Sequence, residues 1–243
     1  MTWSIIALDR KSGALGIAIA TKALAVGGLC PHGEGGVGVI STQATTNPMY
    51  GVRGIRLLAE GVTPAKVVER LVAEDEGREH RQLHMIDVKG RVAARTGSAC
   101  VPWCGQVGGK GVSVAGNMLA GPQVVEATLE SFLDDDSRPF GARLLKALRT
   151  GEAAGGDKRG RQSAALRIYG DRPYPLLDLR VDDHLDPLRE LARLYVSAAD
   201  TYLGFIQAMP SVDNPSGVFE PEALQASMRN YREHPEKTPL AWI

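Results

Sequence analysis

The sequence predicts a single α/β (α+β) domain built as a four-layer αββα sandwich: two sheets face to face, with helices covering both outer faces. Three observations lead there. Three strands precede any helix, whereas a doubly wound nucleotide-binding fold places a crossover helix after its first strand. The helical segments then come in pairs, and each pair suffices to cover one outer sheet face. At 243 residues and 44% hydrophobic content, the chain supports one substantial core and is only marginally long enough for two.

The opening strand runs from Thr2 to Leu8, with Trp3, Ile5 and Ala7 on one face and Ser4, Ile6 and Leu8 on the other. Both faces are largely apolar, as in a central strand covered on both sides. Asp9 to Gly13 reads as a turn that needs glycine at its end, and Ala14 to Ala20 returns as the second strand of a hairpin. Lys22 to Gly36, rich in glycine and carrying Pro31, reads as a loop. Val37 to Gln43 is a third buried strand ending in the polar group TQATTNP.

The first helix pair covers Gly51 to Glu60, stopped by Gly61, and a second segment opened by a Thr63 cap and Pro64. His80 to Val88 and Arg91 to Thr96 flank a Lys-Gly turn and predict a second hairpin. Gly111 to Ala115 is extended and leads into GNMLAGP. The next helix pair starts at Pro122 and at Phe140, the latter running to Leu148 before Gly151. Ser163 to Tyr169 and Leu177 to Val181 read as strands, and Asp186 with Pro187 introduces the longest helical pattern, towards Ile206. Residues 1–200 are expected to form the domain, with 201–243 as a C-terminal extension that wraps over it or dangles.

Charge narrows the function classes. With 28 basic and 28 acidic side chains there is no net field to attract nucleic acid or an anionic membrane. The one basic patch, GDKRGR, contains Asp157 and lacks interleaved aromatics, so no nucleic-acid partner is expected. No apolar run reaches the roughly 20 residues of a membrane helix, and the first ten residues lack a signal-peptide pattern, so the expected location is cytoplasmic. Cys30, Cys100 and Cys104 suit a reducing compartment as ordinary thiols. Asp182, Asp183 and His184 alternate faces if extended, and Asp186 reads as a cap for the following helix, so no metal is assigned. His32, His80 and His84 lack the sequence partners of a triad, and no phosphate loop, haem or metalloprotease motif implies a cofactor.

Several stretches together resemble the bacterial family known as domain of unknown function 1028: MTWSIIALD, STQATTNPMYG, GVSVAGNMLAG and GEAAGGDKRGRQSAAL followed by LRVDDH. The resemblance covers roughly residues 1–200. It implies an N-terminal nucleophile (Ntn) hydrolase-like αββα sandwich, in which the first residue of the mature chain sits at the end of a central strand.

Thr2 is then the expected nucleophile. Methionine aminopeptidase removes an initiator methionine that precedes a small side chain, leaving Thr2 with both a hydroxyl and a free α-amine of reference pKa about 7.7 to 8.0. That amine accepts the hydroxyl proton directly or through water. Lys22, at the return of the hairpin, is a candidate to lower the amine pKa and stabilise the attacking oxygen, as a lysine does in the proteasome-like branch of this superfamily. Asn117 is a candidate oxyanion donor. Asp157 would orient Arg161 or hold the terminal ammonium, and Arg161 is the candidate clamp for a substrate carboxylate. Thr42, Gln43, Asn47 and Gln162 are expected to line the pocket.

The function so implied is hydrolysis of a small amide, imide or ureido compound through an acyl-threonine intermediate, with no cofactor. The alternative is a non-catalytic small-ligand-binding or assembly protein with the same sandwich. A homo-oligomer is expected, from the apolar helices of the second half.

Overall fold

The computed structural model describes residues 2–134, 136–200 and 202–235. Strands β1 (Thr2–Leu8) and β2 (Leu15–Thr21) form the opening hairpin. Asp9 closes its turn: Oδ2 accepts the Ser12 amide at 3.0 Å and the Ser12 hydroxyl at 2.6 Å, and Gly13 takes φ 75°. That left-handed conformation is why the turn ends in glycine.

The remaining strands are β3 (Pro31–Glu34), β4 (Gly38–Ala44), β5 (Arg81–Asp87), β6 (Val92–Thr96), β7 (Gly105–Gly109), β8 (Val112–Asn117), β9 (Ser163–Tyr169) and β10 (Leu177–Val181). They form two antiparallel sheets, ordered β10-β9-β2-β1-β8-β7 and β3-β4-β5-β6. Helices α1 (Pro48–Ala59) and α2 (Pro64–Ala73) cover the smaller sheet, and α3 (Gln123–Leu133) and α4 (Phe140–Ala153) cover the larger. The four-layer αββα sandwich follows. Helix α5 (Pro187–Asp200) extends the helical layer over β9 and β10, and α6 (Tyr202–Ala208) and α7 (Pro221–Glu233) pack on each other beyond it.

The two faces of β1 serve different layers. Trp3, Ile5 and Ala7 join Val124, Leu144 and Leu148 beneath α3 and α4, all essentially without solvent exposure. Between the sheets, Ile6, Leu15, Ile17, Val39, Ile86 and Tyr169 form the apolar half of the interface. Beneath α1 and α2, Ile40, Leu83 and Met85 meet Val67 and Leu71. Each such side chain contributes about 1.5–3 kcal/mol of burial, which holds the sheets in register for the polar half described below.

Four departures from the sequence expectation have physical causes. The loop before β4 contains β3, a short edge strand whose glycine and proline hide its pattern, with Pro31 at the strand start. β7 is Gly-Gln-Val-Gly-Gly and carries almost no strand signal of its own; its ladder with β8 makes it a strand. Thr63 stands at the cap position of α2, but its side chain makes no capping hydrogen bond. Finally, α4 runs through Gly151 to Ala153, because this glycine is where α4 crosses α3: a Cβ there would lie 2.1 Å from Thr128 Oγ1. In the extension, α7 buries Tyr231 against α6, while residues 236–243 lie outside the described residues.

Candidate functional site

Pairing register brings three chemistry-bearing residues to one end of the larger sheet. Thr2 lies opposite Thr21 on β2 and opposite Asn117 on β8. The Thr2 side chain shares the inter-sheet face with Ser4 and Ile6, is 7% exposed, and places Oγ1 3.2 Å from Thr21 Oγ1. Hairpin register counted back from the Asp9 turn pairs Thr2 with Thr21, so the sequence carried a signal for this partner.

From Thr2 a buried polar layer extends between the sheets. Gln43 Nε2 donates to Gln82 Oε1 at 2.8 Å and to the Ala115 carbonyl at 3.2 Å, with the Thr2 carbonyl at 3.4 Å. Asn117 Nδ2 donates to Gln82 Oε1 at 3.0 Å and reaches the Thr2 carbonyl at 3.4 Å. Gln82 Nε2 in turn donates to Thr96 Oγ1 and to the Gly116 carbonyl, both at 2.8 Å. Two residues further along β1, Ser4 Oγ lies 2.7 Å from Gln43 Oε1, 3.1 Å from Ser41 Oγ and 2.8 Å from His84 Nε2, and His84 Nδ1 lies 3.0 Å from Ser113 Oγ. Burial pushes the His84 pKa down to about 3, so the ring is neutral. Sequence reasoning did not place Gln82, His84, Ser41 or Ser113 in the site, although β5 carries a signal for two of them: Gln82 and His84 alternate with apolar Leu83 and Met85 on a strand covered on both sides.

The other expected residues separate into distinct roles. Gln43 belongs to the layer, whereas Thr42 points to the helix side of β4, where its hydroxyl donates to the Asn47 carbonyl at 3.1 Å. Asn47 caps α1: its Oδ1 accepts the Met49 amide at 3.1 Å and its Nδ2 donates to Asp75 at 3.2 Å. Asn117 stands beside Thr2, with its amide donating to Gln82 at 3.0 Å and reaching the Thr2 carbonyl at 3.4 Å.

Asp157 does not orient Arg161. Its carboxylate accepts the Lys22 main-chain amide and the Arg159 amide, both at 2.8 Å, and pairs with the Arg159 guanidinium at 3.2 Å. Asp157 thereby ties the end of the β2 hairpin to its own loop. Arg161 pairs with Glu152 at 3.0 Å and Asp186 at 3.6 Å, so a substrate carboxylate would have to displace two native acids. Gln162 donates its main-chain amide to Thr21 and its side chain to Asp183, at 3.1 Å. Lys22 is exposed, and its ammonium has no hydrogen-bond or ion-pair partner among the described residues. Asp182, Asp183 and His184 diverge to Arg180, Gln162 and the Asp186 amide, while Asp186 Oδ1 accepts the Arg189 amide at 3.2 Å and caps α5. Cys100 and Cys104 are free thiols, both pushed up in pKa by burial.

Residues 2–191 match the family described as a family of unknown function, DUF1028. A crystal structure of a protein of that family from Silicibacter pomeroyi is 33% identical, with 90% of this chain and 99% of that one covered at a TM-score of 0.83. Two looser superpositions are Anbu, an ancestral beta-subunit from Yersinia bercovieri (11% identity, 82% of this chain and 94% of that one, TM-score 0.37), and HslV from Trypanosoma brucei (14% identity, 70% and 99%, TM-score 0.37). No curated protein matches the sequence.

Proposed function

The chain belongs to the DUF1028 family, and on that premise we propose that it is an N-terminal nucleophile amidohydrolase acting on a small amide, imide or ureido carbonyl. The observation that carries the reading is the position of Thr2: first residue of a central strand, hydroxyl on the inter-sheet face, 3.2 Å from a second hydroxyl and at the rim of a buried polar layer. Buried polar groups are costly unless fully hydrogen-bonded, so a layer this extended fixes the strand end in one geometry.

In this reading Met1 is removed and the freed Thr2 amine takes the proton from Oγ1 as the oxygen attacks the carbonyl. Collapse of the tetrahedral intermediate expels nitrogen, which takes up the proton, and leaves an acyl ester on Thr2. Water then releases the acid and restores the hydroxyl. Thr21 orients Oγ1, Asn117 and Gln43 hold the Thr2 main chain, and Lys22 is the exposed cation that an acidic substrate meets at this end.

A second reading, a ligand-binding protein on the same sandwich, is favoured by the hydrogen bonds that already occupy Asn117 and Asp157. Hydrolysis of an amide panel by the untagged protein separates the two. The catalytic reading expects Thr2→Ala to lose at least about a thousandfold in kcat/KM, an amount typical for removal of a nucleophile, and Thr2→Ser to retain turnover. Binding of the panel without hydrolysis by the wild type would favour the binding role, and equal turnover by Thr2→Ala would remove Thr2 from the chemistry.

A further inference from the structure

The polar layer has a second outlet, far from Thr2 along the strands. Between the edge strands β6 and β7 the sandwich opens into a cleft of about 620 Å³, walled by Val92, Ala94 and Val107, with Gln106 and Ser113 inside and Lys89 and Lys110 at the rim. Arg91 also reaches it but is held by Asp87, at 2.6 Å. Both lysines are exposed, and neither ammonium has a partner among the described residues.

Hydrogen-bond accounting fixes which polarity each inner side chain presents. Gln43 Nε2 faces the carbonyls of Ala115 and Thr2, which only accept, so Gln43 Oε1 is the end that faces Ser4. Ser41 also donates to Gln43 Oε1, at 3.1 Å, and the Ser4 hydrogen goes to Gln43 at 2.7 Å or to Ser41 Oγ at 3.1 Å; with either acceptor, the neutral His84 donates Nε2–H to Ser4 Oγ. His84 Nδ1 is left as an acceptor, so Ser113 turns its hydrogen inward and shows only lone pairs to the cleft. The second branch runs through Gln82, whose Nε2 donates to Thr96 Oγ1; Thr96 then donates to Gln106 Oε1 at 3.1 Å. Gln106 consequently points its NH2 group into the cleft. A ligand there meets one fixed acceptor, one fixed donor pair and the two lysine cations.

We propose that this cleft is a second binding site, for a small polyhydroxylated anion whose hydroxyls meet Ser113 and Gln106 while its charged group meets Lys89 and Lys110. A hydroxyl both donates and accepts, which suits the two opposed polarities, and a sugar-sized body fits the volume. The charged group is a carboxylate or a phosphate, and both match the lysine pair. Binding here is independent of the reaction assigned to Thr2.

Amide NMR of the full chain tests it, with gluconate, glucose 6-phosphate and neutral glucose as probes. The expected result is saturable shifts at Gly90, Gly108 and Gly109 with at least one of the two acids, with a Kd on the order of 1 mM, and far weaker shifts with glucose. The tighter of the two acids identifies the charged group. Lys89→Ala with Lys110→Ala should weaken binding about tenfold, since two solvent-facing ion pairs are lost. Gln106→Leu, which removes the donor pair at an exposed position, should weaken it severalfold. Absence of saturable shifts with both acids, equal binding of glucose, or unchanged affinity in the double lysine variant would each overturn the proposal.

Discussion

His84 meets hydroxyls on both ring nitrogens and is fully buried, so its neutrality is a consequence of burial and has a measurable cost in acid. In the unfolded chain the ring titrates near its ordinary value of about 6.5; in the folded protein burial holds it at about 3. Between those values the unfolded state carries the extra proton. The stability His84 contributes is therefore complete above the unfolded value and is lost as pH falls through this window, by at most about 1.4 kcal/mol per pH unit. Urea midpoints measured from pH 7 down to pH 4 should fall more steeply for the wild type than for His84→Gln, and parallel slopes would show that the ring does not titrate on unfolding. Part of the residue-scale geometry was legible: strand ends and motif positions brought Thr2, Gln43 and Asn117 into one group, and the structure places them side by side. The partners of Thr42, Asn47 and Arg161 were not legible, because sequence shows that a polar residue lies near a strand end without showing which face it takes. Which acid captures an arginine is likewise fixed only in three dimensions.

At the scale of elements, two contacts order the outer layers. Gly151 lets α4 cross α3 closely, and Gly151→Ala should lower stability by about 2 kcal/mol through overpacking against Thr128, read as a lower thermal midpoint with an unchanged far-UV spectrum. On the opposite side, Asp75 just beyond α2 gathers Tyr50 at 2.7 Å, Arg81 at 3.1 Å and Asn47 at 3.2 Å. Burial alone would push its carboxyl up, but these hydrogen bonds outweigh it and hold the pKa at about 2. The contribution is present above the unfolded value near 4 and is lost as pH falls towards 2. Asp75→Ala should cost about 3 kcal/mol at neutral pH, because it strands a partly buried arginine and two other donors; a chemical-denaturation curve superimposable on the wild type would contradict this. Helices and long strands were readable because their apolar periodicity is set by burial. β3 and β7 were not, since an edge strand rich in glycine owes its conformation to the neighbour it pairs with.

For the molecule as a whole, the sandwich divides its interior into an apolar half around Ile6, Ile17, Val39 and Ile86 and a polar half that runs from Thr2 to Ser113. Segment order was enough to predict the layers, because three strands before a helix pair leave few ways to cover both sheets. The continuity of the polar half was hidden, since it is assembled from strands distant in sequence. It links two ends of one network, the Thr2 strand end and the β6–β7 cleft, and gives the fold a reason to retain buried serines, glutamines and a histidine where leucines would pack. The proposed chemistry turns on Thr2, and its most direct test is intact mass spectrometry of the untagged protein before and after exposure to a β-lactone probe. Loss of Met1 and one adduct mapped to Thr2 is the predicted result, and retained Met1, or a processed chain that takes no adduct at Thr2, would contradict it.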